Sequence, residues 1–208
     1  MLAEDHHSAR QAYAGVINME KNFEVIGQAE NGKALFDLME NQEPDIVILD
    51  LDMPVMDGRT ALVKLQNEHP RVKVIILSLH NEKIMVCDAL LKGASGYLSK
   101  NCTIDDIFET INRVYTHGFF FNGSVSRQVI VDTFKKDKAL LANMLTGREV
   151  EILKLFCEGF QLKEIADKLY ISIDTVRYHM KHIHKKTEID STQKLVKFAI
   201  RNAFTNLD

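Results

Sequence analysis

The first half of the chain alternates short apolar runs with stretches whose apolar residues recur every three or four positions. The runs predict five strands, near residues 1–3, 23–29, 45–50, 72–78 and 96–98. The periodic stretches predict helices near residues 8–21, 31–39, 58–68, 83–92 and 103–115. A strand that is apolar at nearly every position is typical of a parallel sheet covered on both faces. The pattern therefore predicts a doubly wound α/β domain with right-handed crossovers.

The first predicted strand is much shorter than the others. Only Met1, Leu2 and Ala3 precede the acidic pair Glu4–Asp5, although an acid pair at a strand end needs a strand to hold it. Two explanations stay open here: the numbering begins late, or the first strand of the sheet is a stub. The short strand puts the affinity of the two acids for a metal in question.

The second half of the chain has purely helical spacing. Apolar residues recur at helical intervals in four stretches, between residues 146 and 159, 162 and 169, 172 and 183, and 191 and 204. Three helices with a short connection before the third are typical of a helix-turn-helix. Between the two halves, an aromatic patch at residues 119–121 is followed by a loosely patterned segment. We predict an α/β domain at 1–117, a linker with room for a helix at 118–140 and an all-α domain at 141–208.

Composition and charge fit a soluble globular protein. The chain is 46% hydrophobic and 26% charged, and no apolar run approaches the roughly 20 residues of a membrane helix. No signal peptide is visible, and Cys87, Cys102 and Cys157 form no disulfide or zinc pattern. We therefore predict buried, inert thiols and a cytoplasmic protein. Residues 141–208 carry 11 Lys and Arg against 9 Asp and Glu, whereas residues 1–140 carry 15 against 20, so the second half favours a polyanionic partner.

Polar residues follow the predicted central strands where these end. Asp50 closes an apolar run and leads into Met-Pro and Asp-Gly pairs, which force a loop. Ser78 and Lys100 end later strands, and open α/β sheets bind ligands at this edge. A carboxylate that attacks a phosphoryl group needs its charge neutralised, and Mg²⁺ suits sites of one or two carboxylates, phosphate and water. Glu4 and Asp5 can supply those carboxylates.

Residues 1–117 resemble the receiver domains of signalling proteins, which implies a flavodoxin-like, doubly wound parallel sheet. By this resemblance Asp50 is the phosphate acceptor, and Ser78, Tyr97 and Lys100 support the phosphorylation site. Mg²⁺ would be held by Glu4, Asp5, Asp50 and the backbone carbonyl of Asp52. The proline that often follows the lysine in this family is Asn101 here. His80 can line the rim of the site.

The third helix of the second domain carries a basic stripe. Arg177, Lys181 and Lys185 recur every four residues, so they share one helix face, opposite the apolar positions Val176 and Met180. No acid occurs between residues 175 and 187. Such a helix packs with one side and can meet phosphates and base edges in a major groove with the other.

Residues 145–203 resemble the LuxR-type helix-turn-helix, through Leu145 to Val150, Lys163 to Ala166 and Thr175 to His179. The resemblance implies base contacts by Arg177, Tyr178 and Lys181. It implies phosphate contacts by four further residues, Lys163, Thr175, Lys185 and Lys186. Tyr178 is bulkier than the small apolar residue often found at its position, so the base preference can differ. The fourth helix would form a dimer contact on DNA.

Together the halves resemble response regulators of the NarL/FixJ type. The resemblance implies a non-enzymatic transcriptional regulator that takes part in phosphotransfer only to its own Asp50. A sensor histidine kinase or a small phosphodonor would supply the phosphoryl group, and a homodimer would bind DNA at two half-sites. Two alternatives stay open: a regulator that works without phosphorylation, and a haloacid-dehalogenase-like phosphatase, because Asp50 and Asp52 after an apolar strand also fit that nucleophile motif.

Overall fold

A computed structural model describes residues 1–80, 82–120, 145–191, 194–196 and 198–199 of the chain. The chain divides into two compact units, Met1–Gly123 and Ser124–Asp208. In the part of the chain that is described, no helix is both long enough and apolar enough to cross a membrane.

The first unit is a five-stranded parallel sheet in which a helix follows each strand. The strands are β1 (Leu2–Ala3), β2 (Gln28–Ala29), β3 (Ile46–Leu49), β4 (Lys73–Ser78) and β5 (Gly96–Ser99). The helices are α1 (His7–Met19), α2 (Gly32–Met39), α3 (Gly58–Glu68), α4 (Lys83–Lys92) and α5 (Ile104–His117). All neighbouring strands are parallel and follow the order β2-β1-β3-β4-β5. The predicted doubly wound α/β fold is confirmed.

The strand order places the crevice of the sheet beside the predicted acids. From β1 the chain moves to β2 on one side and then returns to β3 on the other side. Loops that diverge in this way leave an open crevice at the carboxyl ends of the central strands. The central strands themselves are buried, with Val47, Leu49 and Ile76 inaccessible to solvent, as their continuous apolar runs predict.

Strands β1 and β2 are both two residues long, so the prediction of a strand at residues 23–29 is wrong for residues 23–27. Because β1 pairs through only Leu2 and Ala3, its contact with the residues before Gln28 ends at the bond from the Leu2 amide to Gly27 O at 3.0 Å. The amide of Val25 instead donates to Asn18 Oδ1 at 2.8 Å. A cavity of about 490 Å³ lies beside the start of β1, lined mainly by residues 22–26, 43–46, 111–112 and 115–116.

The loop after β3 is held close to Asp50 by Gly58. A Cβ atom at this position would lie 1.9 Å from the backbone oxygen of Asp50, so any larger residue would displace the loop or the strand end. Asp57 caps α3, because its Oδ1 accepts a hydrogen bond from the amide of Thr60 at 2.7 Å. The Asp-Gly pair that predicts a loop therefore also starts the next helix.

The first two residues of the predicted aromatic patch pack into the first unit. Phe119 and Phe120 are buried, and the amide of Phe120 donates to Ser95 O at 2.8 Å. Phe120 joins the apolar cluster beneath α5, and the Arg113 guanidinium lies 4.8 Å from its ring centre. Phe121 and the predicted linker helix near residues 129–141 lie outside the described residues.

The second unit is helical. Its helices are α6 (Gly147–Cys157), α7 (Leu162–Leu169) and α8 (Ile173–Thr187), and residues 194–196 and 198–199 are also helical. Ile152, Ile165, Val176 and Leu195 are buried, as the apolar spacing predicts. Burial raises the pKa of the Cys157 thiol, whereas Cys102 is half-buried and the side chain of Cys87 lies outside the described part of the chain.

Tyr170 ends α7 in a left-handed conformation that tyrosine rarely adopts. Its φ is 53°, and its side chain is 96% exposed, so no packing offsets the backbone strain. Left-handed backbone costs an L-residue about 1–2 kcal/mol, whereas glycine adopts it freely. We expect Tyr170→Gly to raise the free energy of unfolding by about 0.5–1 kcal/mol, because the greater freedom of unfolded glycine cancels part of the gain. Thermal unfolding of the full chain measures the change.

Tyr170→Ala is the matched control for this expectation. It removes the same ring but keeps Cβ, so it should give no comparable gain. If alanine and glycine stabilise the protein equally, the gain comes from removal of the tyrosine ring. That result would contradict relief of backbone strain as the cause.

Candidate functional site

Three polar side chains from separate strand ends make contact at the carboxyl edge of the sheet. Glu4 follows β1, Asp50 follows β3 and Lys100 follows β5. Lys100 Nζ lies 2.9 Å from Asp50 Oδ2 and 2.7 Å from Glu4 Oε2. The backbone amide of Lys100 donates to Ser78 O at 2.9 Å, which joins the ends of β4 and β5. The structure therefore gathers these residues at one edge, where the sequence predicts a site.

Burial makes the charge on Asp50 costly. Glu4 and Asp50 are both buried, and burial raises the pKa of the Asp50 carboxyl. The hydrogen bond and charge of Lys100 act in the opposite direction without reversing the shift, while Glu4 adds to it. Burial lowers the pKa of Lys100, but its two carboxylate partners outweigh burial and raise it. One ammonium thus faces two buried carboxylates, and a second cation would relieve the excess negative charge.

The donor atoms at the end of β1 fit such a cation. One ligand atom each from Glu4, Asp5 and His6 lies within 4.8 Å of the other two. Glu4 Oε2 is buried and, among the described residues, has no hydrogen-bond partner apart from its ion contact with Lys100. Carboxylate oxygens are the ligands that hard divalent cations prefer. His6 Nδ1 lies 2.8 Å from Asp5 Oδ1, and the His6 side chain is largely exposed.

Asp52 presents its backbone and its side chain to different partners. Its amide is 3.4 Å from Asp50 Oδ1, which keeps the loop backbone beside the carboxylate of Asp50. Its exposed carboxylate lies 2.9 Å from His80 Nε2. His80 therefore does sit at the rim of the site, but the sequence analysis missed its pairing with Asp52. The one feature of the sequence that could have indicated this pairing is that Asp52 and His80 each follow a predicted strand, and these two strands are consecutive along the chain.

Ser78 and Tyr97 both contact the backbone of His80. Ser78 Oγ accepts a hydrogen bond from the His80 amide at 3.1 Å, and the Tyr97 hydroxyl donates to the His80 carbonyl. Tyr97 is buried, and burial raises the pKa of its hydroxyl. The two predicted support residues are thus linked through one loop, so a change at Ser78 can reach Tyr97.

The outward face of α8 carries the residues expected to contact bases. Arg177 is 60% exposed and its guanidinium lies 2.9 Å from Asp174 Oδ1. Lys181 and Lys185 are also exposed, while Met180 and Ile183 are buried on the opposite face. The predicted separation of a basic stripe from an apolar one is therefore present in the helix.

Tyr178 forms an aromatic group with the histidines of α8. Its side chain is 59% exposed, and its ring centre lies 4.4 Å from that of His182 and 5.7 Å from that of His179. The contact with His182 is tilted and that with His179 is edge-to-face, geometries that favour this orientation of the Tyr178 ring. This group replaces the small apolar residue that the resemblance leads one to expect.

The residues expected to contact phosphates have different environments. Lys163 on α7 and Lys185 on α8 are exposed. Thr175 is half-buried, and its hydroxyl lies 2.8 Å from that of Ser172. Lys186 Nζ lies 2.7 Å from the buried carboxylate of Glu149, so its charge already has a partner within the unit. Of these four side chains, Lys186 is the one held by a buried acid.

Glu149 belongs to both a helix cap and an ion pair. Thr146 and Glu149 form a capping box at the start of α6, and Glu149 Oε2 also contacts Lys186. Burial raises the pKa of Glu149, but Lys186 and Thr146 outweigh it and the net shift is downward. We expect Glu149→Gln to lower the free energy of unfolding by about 1–3 kcal/mol, with the value limited by the partial exposure of Lys186. Chemical unfolding of the full chain at neutral pH measures the loss.

The pH dependence follows from the direction of the shift. Because the folded pKa is depressed, the stabilisation is present above the unfolded value and is lost as pH falls through the folded pKa. The difference between wild type and Glu149→Gln should therefore shrink below about pH 4.5, the ordinary glutamate value. Glu151→Gln is the control, because Glu151 pairs with Arg148 at the surface and should contribute less than about 1 kcal/mol. An equal loss in both variants would contradict the role given to burial.

Family models match both units of the chain. The model described as response regulator receiver domain matches residues 1–112, and the model described as bacterial regulatory proteins, luxR family, matches residues 143–199. The transcriptional regulatory protein DegU of Brevibacillus brevis is 29% identical over 100% of this chain and 94% of its own length. The nitrate/nitrite response regulator protein NarL of Escherichia coli K12 is 32% identical over 92% of this chain and 89% of its own.

Solved structures of similar proteins match almost the whole chain. An RcsB response regulator of Salmonella typhimurium has 25% identity and a TM-score of 0.58 over 95% of both chains. A structure of two RcsB dimers bound to two parallel DNAs has 25% identity and a TM-score of 0.58 over 98% of this chain and 97% of that one. With a receiver domain followed by a LuxR-type helix-turn-helix, the chain belongs to the NarL/FixJ-type response regulators, which are DNA-binding regulators of transcription.

Proposed function

We propose that Asp50 accepts a phosphoryl group and that this modification controls DNA binding and dimerisation by the helix-turn-helix. The observation that carries the proposal is the contact of Lys100 Nζ with both Asp50 and Glu4 at the carboxyl edge of the sheet. A buried carboxylate beside a fixed ammonium has a nucleophilic oxygen and a neutralising charge at the same point. Phosphoryl transfer requires mainly this positioning and neutralisation.

In the proposed reaction an oxygen of Asp50 forms a bond to phosphorus as the bond to the donor breaks. The leaving group is the imidazole of a kinase phosphohistidine or the remainder of a small phosphodonor, and it departs with the electron pair of the broken bond. The Lys100 ammonium neutralises phosphoryl oxygens during transfer and remains paired with Glu4. Mg²⁺, when bound, would neutralise further phosphoryl charge, and its ligands would be Glu4, Asp5, Asp50 and the carbonyl of Asp52.

Ser78 and Tyr97 would transmit the modification. The Ser78 hydroxyl accepts a hydrogen bond from the His80 amide in this structure, and it would donate its own proton to a phosphoryl oxygen, which would draw it toward the phosphate. Since Tyr97 donates to the carbonyl of the same residue, movement of this loop alters the support of the tyrosine ring. Such a local change can bias a domain arrangement that has two states of similar free energy.

The proposed DNA contacts follow the exposed face of α8. Arg177, Tyr178 and Lys181 would contact base edges, and Lys163, Thr175, Lys185 and Lys186 would contact phosphates. For Lys186 the proposal requires the ammonium to contact phosphate while it stays near Glu149. By analogy with the DNA-bound RcsB dimers, we propose a homodimer on two half-sites.

The remaining assignments belong to the same proposal. The phosphoryl source would be a sensor histidine kinase, and a regulator that binds chromosomal DNA would act in the cytoplasm. The functional domains would span residues 1–117 and 141–208, joined by residues 118–140. Phosphotransfer to its own Asp50 would be the sole chemistry of the chain, which therefore would not turn over a substrate.

Intact-mass measurement with a small phosphodonor and Mg²⁺ tests this proposal. We expect the full chain to gain one phosphoryl group, which chelation of the metal prevents. A chain that shows no mass increase under any donor but binds DNA would be a regulator that works without phosphorylation. Steady turnover of a phosphate ester that Asp52→Asn abolishes would favour the phosphatase alternative.

A further inference from the structure

The segment between β1 and α1 holds the acid pair with little strand pairing. The amide of Glu4 donates to Ala29 O at 3.0 Å, and the amide of Asp50 donates to Ala3 O at 2.9 Å. Within the described residues, these are the last backbone bonds of the sheet on this segment before α1 begins at His7. A strand of two residues therefore gives the peptide groups of Glu4 and Asp5 few backbone contacts that could hold them in place.

Arg10 contacts the backbone of both acids. Its Nη1 atom lies 2.5 Å from the carbonyl oxygen of Glu4 and 3.3 Å from that of Asp5. Arg10 is part of α1, and its own amide donates to His6 O at 2.9 Å, so its backbone position is set by the first turn of that helix. One guanidinium nitrogen thus connects two successive peptide groups to the helix that follows them.

Arg10 contacts backbone oxygens and not the nearby carboxylates. Two carboxylates belong to the same residues, yet the guanidinium donates to the backbone oxygens and, among the described residues, forms no ion pair. Arg10 therefore adds no partner to the carboxylate oxygens beyond their contacts with Lys100 and His6, while it holds the peptide groups that carry them. Arginine suits this role because its planar, rigid fork of donors can serve neighbouring acceptors, whereas lysine offers a compact charge on a flexible stem.

We propose that Arg10 is a positioning residue for the acid pair: it fixes the peptide groups of Glu4 and Asp5 so that their carboxylates can bind a divalent cation. The inference rests on the proposed function, in which that cation is Mg²⁺. It also answers the question raised by the short first strand, because contacts from α1 replace the missing strand pairing. Groups that orient metal ligands without touching the metal typically change metal affinity by about 10- to 100-fold when they are removed.

Calorimetric titration of the full chain with Mg²⁺ tests the inference. We expect Arg10→Gln to weaken Mg²⁺ binding by about 10- to 100-fold and Arg10→Lys to weaken it less. Lys21→Gln is the matched control, since Lys21 is an exposed cation just beyond the end of the same helix and its removal changes the net charge equally. The control should bind Mg²⁺ as the wild type does.

Thermal unfolding without Mg²⁺ separates positioning from simple stabilisation. If Arg10→Gln unfolds at a lower temperature but binds Mg²⁺ with wild-type affinity, the inference is overturned. If Arg10→Gln does not fold, Arg10→Lys decides, and wild-type affinity in that variant overturns the inference. An equal loss in Lys21→Gln would show an effect of net charge alone and also overturns it. If the wild-type protein binds no Mg²⁺ but still gains a phosphoryl group, the metal has no part in the proposed function. The role inferred for Arg10 is then overturned, whereas the assignment of Asp50 stands.

Discussion

Asp50→Asn abolishes phosphodonor-dependent labelling of the full chain. The carboxamide is a poor nucleophile, and Asp50 is the buried carboxylate that contacts both Lys100 and the amide of Asp52. We expect the mass increase to fall from one phosphoryl group to none. The substitution is close in size, and Lys100 keeps Glu4 as a partner, so the fold should persist. Intact-mass measurement with donor and Mg²⁺ reports the result.

The same variant removes the effect of the phosphodonor on DNA binding. Coupling between two sites is typically worth about 1–3 kcal/mol, which corresponds to about a 5- to 150-fold change in affinity. Wild type should show a change of this size when the donor is added, whereas Asp50→Asn should have the same affinity with and without it. A titration monitored by fluorescence anisotropy of labelled DNA measures both affinities.

Asp52→Asn is the matched control for this prediction. It changes an acid two positions away, whose exposed carboxylate contacts His80 and not Lys100. Its backbone carbonyl is retained, so labelling should persist in this variant. Labelling that survives in Asp50→Asn, or that Asp52→Asn alone removes, would refute the assignment of the acceptor.

Lys181→Ala weakens binding to the operator and relaxes its specificity. Lys181 is exposed on the face of α8 that carries Arg177 and Tyr178, opposite the buried Met180 and Ile183. If its ammonium contacts a base edge, its loss should cost about 1–3 kcal/mol on the matched sequence and much less on a scrambled one. The difference in affinity between the two sequences should therefore shrink. Anisotropy titrations on matched and scrambled duplexes measure it.

Lys185→Ala is the comparison that distinguishes base contact from phosphate contact. It removes the same charge one helical turn further along α8, where the resemblance implies a phosphate contact. Binding should weaken evenly on both duplexes, and the slope of log affinity against log salt should fall by about 1. An even loss in Lys181→Ala as well would place Lys181 on the phosphate backbone and contradict its role in base recognition.

The sequence predicts that Asp50 and Lys100 lie at the same edge of the sheet. Both residues end apolar runs that read as parallel strands, and parallel strands present their carboxyl ends at one edge. The contact itself joins residues 50 positions apart in the chain across the intervening β4, and only the structure shows it. The helix caps at Thr103 and Thr146 are predictable for a different reason, because a capping box depends on residues three positions apart.

Other features depend on which residues find partners across the fold. The prediction of a strand at residues 23–29 fails because its residues fit a strand but β1 offers only two positions for pairing. The ion pair of Glu149 with Lys186 joins residues 37 apart, and neither helix pattern indicates it. The pairing of Asp52 with His80 depends on the path of two loops, for which apolar periodicity carries no information.

By itself, the sequence determined the class of each half, the order of the elements and the edge of the sheet where the acids gather. These properties follow from local spacing, because strands, helices and caps repeat or close over a few residues. Only the tertiary structure decided how Glu4 and Asp5 are held, how Tyr97 and Ser78 share the backbone of His80, and where Lys186 places its charge. These contacts depend on the distances between side chains and backbone groups of separate elements. The packing of the whole unit sets those distances.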